Sequence, residues 1–337
     1  MPQPHKPKVV VMNDTSGRSH HGCSRVMRQL FDGLARHGME VSQPSPARHD
    51  WAKDAGFLAA LERADLVVIN GEGTFHHGRE AGLKLLEVIP AAKHLCVPAA
   101  VINALWQENP VEWDDLLVDA ALIATRDERS GAEIAATLGP VVRVIPDLSL
   151  SADPQTGLRD KVFFADSVGW STRRALALAA TRLKTDALLP TQTRASLIWT
   201  TWPAGPLLPG LYHATLPLGP VPLQVATPEA EYLALLGRAK MYVTGRFQGI
   251  CPSLVTGIPF LTTGSTSYKI AALLADVDLP ASRAIDESKL PGLKRADLDR
   301  PFTANETAGI ARFLAKAQTE SAALFADLAT LAWRGLP

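Results

Sequence analysis

The sequence predicts an α/β protein with two Rossmann-like, doubly wound parallel-sheet lobes that face a cleft. Three observations lead to this fold class. Short β-branched runs alternate with amphipathic helical segments, which is the pattern of parallel sheets with right-handed crossovers. A stretch rich in Pro, Ser, Asp and Gly at residues 146–160 interrupts the alternation, which then begins again. The length of 337 residues suits two domains of roughly 150 residues each.

The first lobe is expected to cover residues 1–150. Its Val9-Val10-Val11 run is typical of a buried parallel strand, and Gly38 and Gly139 each follow a helical pattern as C-caps. Strands are predicted at residues 8–12, 39–42, 65–70, 94–103, 121–125 and 141–145. Helices are predicted at residues 24–37, 52–63, 81–88, 113–118 and 129–138.

The second lobe is expected to cover residues 151–304, and a C-terminal helix to occupy residues 305–337. Whether that helix packs on its own lobe or crosses back to the first is left open. Strands are predicted at residues 161–165, 195–200, 241–244 and 259–263. Helices are predicted at residues 172–184, 228–238, 247–256 and 267–274, with irregular stretches at 202–222 and 283–300.

Composition narrows the function classes. Hydrophobic residues make up 47% of the chain and charged residues 20%, so each lobe can bury a core. The formal net charge of +0 argues against a broad cationic surface for nucleic acid, and anion affinity must come from a local cluster. Three widely spaced cysteines, no visible signal peptide and no apolar run near ~20 residues predict a cytoplasmic protein without a transmembrane segment. No metal or other cofactor is expected, and a homo-oligomer is left open.

Ligands of doubly wound sheets bind beyond the carboxyl ends of the strands, so polar residues there are site candidates. Asn13 and Asp14 follow the first strand, and His20 and His21 precede a helix whose N-terminus can hold an anion. The alternative is an Asx turn with an N-cap. A metal site at the two histidines is disfavoured, because adjacent side chains on a regular element diverge.

Two further clusters follow strands of the first lobe. Gly71-Glu72-Gly73-Thr74 ends the third strand ahead of His76 and His77; Glu72 could serve as a general base, and the histidines could move protons. The alternative is a glycine-rich turn with solvated histidines. Arg126 could clamp a phosphate or carboxylate, or pair with its charged sequence neighbours. Asp147 could be catalytic or could cap a turn.

The second lobe carries the main anion-site candidate, Thr244–Gly249, at a strand-to-helix junction. Gly245 permits a sharp turn, while Arg246 and Gln248 place donors at the helix start. One unit later, Thr263-Gly-Ser265-Thr-Ser-Tyr-Lys269 repeats the arrangement with hydroxyl groups ahead of a lysine. Two such helix N-termini suit a phosphate, and ordinary capping by Ser and Thr is the alternative.

In order and spacing, these segments resemble the polysaccharide pyruvyl transferase family. The resemblance covers roughly residues 9–274 and rests on segments 64–74, 145–147, 239–249 and 257–259, together with Arg126, Ser130 and Lys269. It implies a GT-B-like fold and transfer of a pyruvyl group from phosphoenolpyruvate to a sugar of a bacterial cell-surface glycan or its precursor. In that reaction the methylene is protonated, a sugar hydroxyl attacks, phosphate departs and a second hydroxyl closes the ketal.

The first lobe is then expected to hold the acceptor and the second lobe the phosphorylated donor. The expected catalytic residues are Glu72, His76, His77, Asp147 and Gln248. The expected donor-binding residues are Arg126, Arg246, Gly249, Thr263, Ser265 and Lys269. The expected acceptor-binding residues are Asn13, Asp14, His20, His21, Gly71, Gly73 and Thr74.

The chain departs from the family at two positions. The family's Arg-x-His-Gly reads Arg246-Phe247-Gln248-Gly249, and its Gly-Gly-Gly loop contains Glu72. Glutamine cannot supply a proton, so either acid–base work has moved to Glu72, His76 or His77, or the donor differs. The alternative is therefore a GT-B glycosyltransferase that uses a nucleotide-sugar donor for cell-surface polysaccharide synthesis. A third hypothesis is a non-catalytic protein that binds glycan or phosphate on the same fold.

Overall fold

The computed structural model describes residues 6–151, 158–193, 216–217 and 219–334. Contacts divide the chain into two compact units. Unit 1 comprises Met1–Thr15, Met27–Ser151 and Lys316–Pro337, and unit 2 comprises Ser16–Val26 and Ala152–Ala315. Each unit holds one parallel sheet with helices, which confirms the two-sheet α/β class. The domain boundaries drawn from the sequence stay a prediction.

Unit 1 is built on six parallel strands in the order β2-β1-β3-β4-β5-β6. The strands are β1 Lys8–Asp14, β2 Glu40–Pro46, β3 Leu66–His76, β4 Ala99–Gln107, β5 Leu122–Thr125 and β6 Val142–Val144. The helices are α1 His21–Arg36, α2 Ala55–Leu61, α3 Glu80–Leu86, α4 Val88–His94, α5 Glu112–Leu117 and α6 Glu128–Leu138. Val10 and Met12 pack on one face of the sheet and Val9 and Val11 on the other, so apolar cores cover both faces.

Two predictions for unit 1 are wrong. Gly71–Thr74 does not end the third strand, because β3 continues to His76 with an irregular register against β4. Gly71 makes this close pairing possible, since a Cβ there would lie 2.7 Å from Ala104 Cα. The strand predicted from residue 94 begins only at Ala99, and α4 takes up the residues before it. Pro90 is tolerated in α4 because it lies in the first helical turn.

Unit 2 is built on five parallel strands in the order β11-β10-β9-β7-β8. The strands are β7 Lys161–Ser167, β8 Ala187–Leu188, β9 Ala239–Gly245, β10 Phe260–Thr263 and β11 Ala284–Ile285. The helices are α7 Trp170–Leu183, α8 Glu229–Leu236, α9 Phe247–Thr256, α10 Lys269–Asp276 and α11 Ala304–Arg334, whose residues from Lys316 onward belong to unit 1. The bounds predicted for α9 are confirmed, whereas the strand predicted at 195–200 lies outside the described residues.

The strand orders position the candidate sites. In unit 1, β2 pairs on one side of β1 and the later strands, from β3 onward, lie on the other side. In unit 2, β8 pairs on one side of β7 and the later strands, from β9 onward, lie on the other. The strand order therefore reverses between β1 and β3 and between β7 and β9, which makes these two places topological switch points. Ligands of such sheets bind where the order reverses, at the carboxyl ends. None of the helices among the described residues is long and apolar enough to span a membrane.

Candidate functional site

A buried polar cluster lies at the switch point of unit 1. Asn13 Nδ2 donates hydrogen bonds to Asn70 O at 2.6 Å and to Thr74 Oγ1 at 3.2 Å. Glu72 Oε1 accepts hydrogen bonds from Thr15 Oγ1 at 2.5 Å and from Asn70 Nδ2 at 3.2 Å. The Glu72 backbone adopts a φ of 41°, which turns this buried carboxylate out of the regular strand pattern. The structure thus brings together Asn13, Glu72 and Thr74.

Arg126 and Asp147 meet at the neighbouring strand ends of unit 1. Arg126 Nη1 lies 3.3 Å from Asp147 Oδ2, and both side chains are buried. Asp147 Oδ1 also accepts hydrogen bonds from Ser149 N at 3.0 Å and Ser149 Oγ at 2.6 Å. Gly73 borders this pair, because a Cβ there would lie 3.8 Å from Arg126 Nη2. Asp127, a sequence neighbour considered as a partner for Arg126, instead caps α6 through Ser130 N.

The two histidines that follow Glu72 lie at the end of β3: His76 is the last residue of the strand, and His77 is in the turn after it. His76 is buried and pairs in register with Gln107 of β4. His77 Nδ1 lies 3.0 Å from Glu108 Oε2, and the two imidazole rings make an edge contact with centroids 5.0 Å apart. His76 thus belongs to the strand, whereas His77 is exposed in the turn that follows it, as in the alternative of a solvated histidine.

Arg246 is held in a fixed position at the switch point of unit 2. Its Nε and Nη2 lie 2.9 and 2.8 Å from Asp166 Oδ2, and Nη2 donates to Gln192 Oε1 at 2.8 Å. Asp166 Oδ1 accepts a hydrogen bond from Thr191 N at 2.8 Å. The guanidinium therefore joins the last part of β7 to residues that follow β8 and β9, and its charge is shared with a carboxylate.

Gly245 permits the close approach of three strand ends. A Cβ at this position would lie 2.5 Å from Ser167 Oγ and 2.7 Å from Thr263 Oγ1. Gly249 has a similar role one turn later, since its Cβ would lie 2.5 Å from Thr244 Oγ1. Any side chain at Gly245 would separate Arg246 from the loop that follows β10, so both predicted anion-binding segments depend on this glycine.

Three hydroxyl groups between the end of β10 and the start of α10 are buried and have no hydrogen-bond partner among the described residues. They belong to Thr263, Ser265 and Ser267, and Thr263 is 0% exposed. Leaving a buried hydroxyl unpaired costs roughly 1–3 kcal/mol, and such groups are uncommon. Lys269 follows as the first residue of α10 and is partly buried. This arrangement can donate several hydrogen bonds to one anion beside a positive charge.

His20 and His21 belong to unit 2, together with the rest of Ser16–Val26, whereas Asn13 and Asp14 belong to unit 1. His21 N donates to Thr191 O at 3.1 Å, and His20 forms an antiparallel bridge with Gln192. The residues predicted together as an acceptor site are thus divided between the two units.

The chain segment with the two histidines also reaches α9. A Cβ at Gly22 would lie 2.1 Å from Gln248 Cβ, so the Gln248 side chain packs directly on the start of α1. Gln248 is buried. This contact brings His20 and His21 to the Arg246–Gly249 segment. In that segment, Gln248 stands where the polysaccharide pyruvyl transferase family has a histidine.

Both histidines are held in the neutral form. Burial lowers the pKa of His20 well below its ordinary value, and the nearby charges of Arg246, His21, Arg18 and Lys269 act in the same direction. Burial also lowers the pKa of His21, whose ring stacks on Tyr232 with centroids 4.4 Å apart. Burial raises the pKa of Tyr232 to about 12.

Sequence reasoning missed several residues that complete these clusters. They are Thr15 and Asn70 in unit 1, and Asp166, Gln192 and the hydrogen-bonded pair Tyr232 and Tyr242 in unit 2. Asp166 could have been found as an acidic residue near the end of an apolar strand, whereas Gln192 carries no recognisable signal. Among the described residues, no group of three or more His, Cys, Asp or Glu side chains is arranged to hold a metal ion.

No family model and no curated protein matches the chain. Solved structures do. A protein provisionally assigned as a UDP-N-acetylglucosamine 2-epimerase from Listeria monocytogenes aligns with a TM-score of 0.54 at 10% identity, over 93% of this chain and 96% of its own. The calicheamicin glycosyltransferase CalG4 aligns with a TM-score of 0.51 at 14% identity, over 99% of this chain and 100% of its own.

A mutant of the Thermobaculum terrenum O-GlcNAc transferase aligns with a TM-score of 0.51 at 13% identity, over 98% of this chain and 68% of its own. At these identities the comparisons show the fold alone. The fold is the two-unit α/β fold found in GT-B glycosyltransferases, and two of the three proteins are transferases by name. The specific resemblance to polysaccharide pyruvyl transferases stays an expectation from the sequence.

Proposed function

We propose that the protein is a glycosyltransferase that transfers a sugar from a nucleotide-sugar donor to a hydroxyl group of a glycan acceptor. The donor diphosphate binds in unit 2 at a phosphate site made of Arg246, Thr263, Ser265, Ser267 and Lys269. The observation that carries the proposal is the set of three buried hydroxyls ahead of Lys269 that have no partner in the part of the chain the structure describes. A diphosphate offers the acceptor oxygens that these donors lack.

The helix N-termini strengthen this phosphate site. The loops ahead of α9 and α10 lie side by side, because Thr263 Oγ1 approaches the position of a Gly245 Cβ within 2.7 Å. The first turn of each helix carries the positive end of the helix macrodipole. Arg246 is already oriented by Asp166 and Gln192, so little side-chain entropy is lost when an anion binds.

The transfer requires a base for the acceptor hydroxyl, and we assign this role to Glu72. The base takes the hydroxyl proton as the oxygen attacks the anomeric carbon; the bond from that carbon to the diphosphate breaks, and the nucleoside diphosphate leaves with the electron pair. Thr15 and Asn70 hold the Glu72 carboxylate in one orientation. The phosphate site stabilises the charge that develops on the leaving group.

Pyruvyl transfer from phosphoenolpyruvate is the second candidate. It is favoured by the order of motifs in the sequence, because Arg246-Phe247-Gln248-Gly249 occupies the β9–α9 junction of the phosphate site. Against it, Gln248 cannot supply the proton that the enolpyruvyl methylene must receive. The names of the fold neighbours, which include a UDP-sugar epimerase and glycosyltransferases, agree better with a nucleotide sugar.

Calorimetric titration of the purified protein tests the proposal with UDP, dTDP, GDP, ADP and phosphoenolpyruvate. We expect one nucleoside diphosphate to bind, and the triple variant Thr263→Val, Ser265→Ala, Ser267→Ala to bind it at least about 10-fold more weakly, because each hydrogen bond to a charged group contributes roughly 1.5–3 kcal/mol. Ser321→Ala is the matched control, since it removes another buried hydroxyl without a partner, in unit 1.

The outcomes separate the hypotheses. Binding of phosphoenolpyruvate without any nucleotide would favour pyruvyl transfer and contradict the proposal. Nucleotide binding that the triple variant leaves intact would show that the diphosphate binds elsewhere. A protein that binds a nucleotide sugar but never releases the nucleoside diphosphate with any glycan acceptor would be a binding protein rather than a transferase.

A further inference from the structure

His20 caps helix α1, and this contact fixes the orientation of its ring. Cys23 N donates a hydrogen bond to His20 Nδ1 at 3.4 Å, and Ser24 N donates to His20 O at 3.1 Å. An N-cap side chain that accepts from the third helical residue satisfies one of the free N–H groups of the first turn. With Nδ1 turned to the helix, Nε2 lies on the opposite side of the ring and points away from it.

The surroundings of His20 place it at the phosphate site of unit 2. Its bridge partner Gln192 accepts a hydrogen bond from Arg246, and Gln248 packs on Gly22, two residues farther along. The titratable and charged groups that act on its ring are Arg246 after β9, Lys269 at the start of α10, and Arg18 and His21 in its own segment. Each of the three cations favours an anion at this place and opposes a further positive charge.

The tautomer of His20 follows from these contacts. Because Nδ1 accepts a hydrogen bond, it carries no proton in the neutral ring, and the single N–H is at Nε2. Burial and the neighbouring cations hold the pKa of His20 low, so the ring stays neutral near pH 7. The ring therefore offers one uncharged donor beside Arg246 and Lys269.

We propose that His20 is a phosphate-binding residue of unit 2, which donates Nε2–H to a phosphate oxygen of the ligand while the ring remains neutral. The inference rests on the proposed function, because it uses the same phosphate site. It adds a residue from the first loop of the chain to a site otherwise built from the second half. It also implies that a diphosphate binds without proton uptake by His20.

Two conservative variants distinguish the role of Nδ1 in capping α1 from the role of Nε2 in binding phosphate. In His20→Asn the amide takes the place of Nδ1, so the cap of α1 is retained and the phosphate donor is lost. In His20→Gln the amide reaches the place of Nε2, so the donor is retained and the cap is lost. His94→Gln, at the exposed end of α4 in unit 1, is the control.

The probe is inorganic pyrophosphate at pH 7.5, titrated calorimetrically, with thermal unfolding of each variant measured alongside. We expect His20→Gln to bind within about 3-fold of the wild type and His20→Asn at least about 10-fold more weakly. The Tm should follow the opposite order, with His20→Gln lower by about 2–4 °C. A purely structural role of His20 cannot produce opposite orders in affinity and stability.

Imidazole nitrogen NMR of the wild type supplies a direct readout, with the His20 signals assigned by their loss in His20→Gln. The expected spectrum shows a neutral ring with its proton on Nε2, and a shift of that resonance when pyrophosphate is added. Equal pyrophosphate affinity in all variants, or a ring that becomes doubly protonated on binding, would overturn the inference and leave the proposed function standing. Failure of the wild type to bind either pyrophosphate or any nucleotide would overturn both.

Discussion

At the scale of single residues, a buried ion pair joins Arg283 and Glu306 in unit 2. Arg283 Nε and Nη2 donate to the two carboxylate oxygens at 2.6 and 2.9 Å. Arg283 also donates to Phe260 O and Pro301 O, each at 3.0 Å, and its guanidinium lies 4.4 Å from the centroid of the Phe302 ring. All three nitrogens of the guanidinium thus donate hydrogen bonds within the protein, as a buried charge requires.

Glu306 has a second role as part of a capping box at the start of α11. Thr303 N donates to Glu306 Oε2 at 2.8 Å, and Glu306 N donates to Thr303 Oγ1 at 3.2 Å. These contacts, led by the hydrogen bonds from Arg283, lower the pKa of Glu306 to about 2. Because the pKa is lower in the folded state than in the unfolded chain, the ion pair stabilises the fold above about pH 4.5, and this contribution is lost as the pH falls towards 2.

Glu306→Gln should therefore destabilise unit 2 by about 3–5 kcal/mol at pH 7, because it leaves the Arg283 charge buried and unpaired. The loss should shrink between pH 5 and pH 3, where the wild-type carboxylate takes up its proton. Urea unfolding at a series of pH values measures both effects. Glu320→Gln is the control on the same helix, since its ion pair with Arg143 is partly exposed and contributes at most about 1 kcal/mol. A pH-independent difference would contradict the assigned pKa.

At the scale of elements, the segment Ser16–Val26 is anchored to unit 2 by contacts along its length. Thr193 N and Thr193 Oγ1 donate to Ser19 O at 2.9 and 3.1 Å. Arg25 Nη1 lies 3.6 Å from Glu229 Oε1 of α8, and both side chains are buried. The ring of His21 stacks on Tyr232 of the same helix. These contacts hold the segment with His20 on unit 2, at the proposed phosphate site.

Arg25→Ala should loosen this segment, because it leaves the Glu229 carboxylate buried without its cation. Native-state hydrogen exchange should show at least about 10-fold faster exchange at the amides of His21 and Thr193, while amides of β3 in unit 1 keep their rates. Arg28 is exposed on α1, the helix that also contains Arg25, and Arg28→Ala should leave all of these exchange rates unchanged. Unchanged protection in Arg25→Ala would mean that the backbone bridge alone holds the segment.

At the scale of the whole molecule, the last part of α11 completes the core of unit 1. Leu324, Phe325, Leu328 and Ala332 pack on the sheet face formed by β1, β3 and β4. Phe325 lies against Gly33, where a Cβ would come within 2.2 Å of its ring. Residues from both ends of the chain are thus joined in one core, although nearly 300 positions separate them.

Phe325→Ala should destabilise unit 1 by about 3–5 kcal/mol, the usual cost of removing a buried aromatic side chain. Hydrogen exchange at β1 amides reports on unit 1, and β9 amides of unit 2 serve as the internal reference. Trp333→Ala is the matched aromatic control on the same helix, and its exposed ring should contribute less than about 1 kcal/mol. Equal acceleration of exchange in both units would show that they unfold as one cooperative body.

The local pattern of residues in the sequence was sufficient to predict much of the fold. Hydrophobic runs, caps and glycines predict the alternation of strands and helices, and the bounds of α9 were predicted correctly, because short-range preferences determine these features. The continuation of β3 through Gly71–His76 could not be predicted from the sequence, since it depends on pairing with β4. The two-residue strand β8 could not be predicted for the same reason, because it depends on pairing with β7, its only regular partner among the described strands.

The sequence by itself determined which loops carry polar and glycine-rich residues at strand ends, and so it identified Glu72, Arg246, Thr263, Ser265 and Lys269 as candidates. Only the tertiary structure decided which residues meet: it pairs Arg246 with Asp166 and Gln192, and among the described residues it leaves three hydroxyls without partners. It also assigns His20 to unit 2, although the sequence suggested the first lobe. The physical reason is that strand ends are local features, whereas contacts between distant segments depend on strand order and on the glycines that let those segments approach.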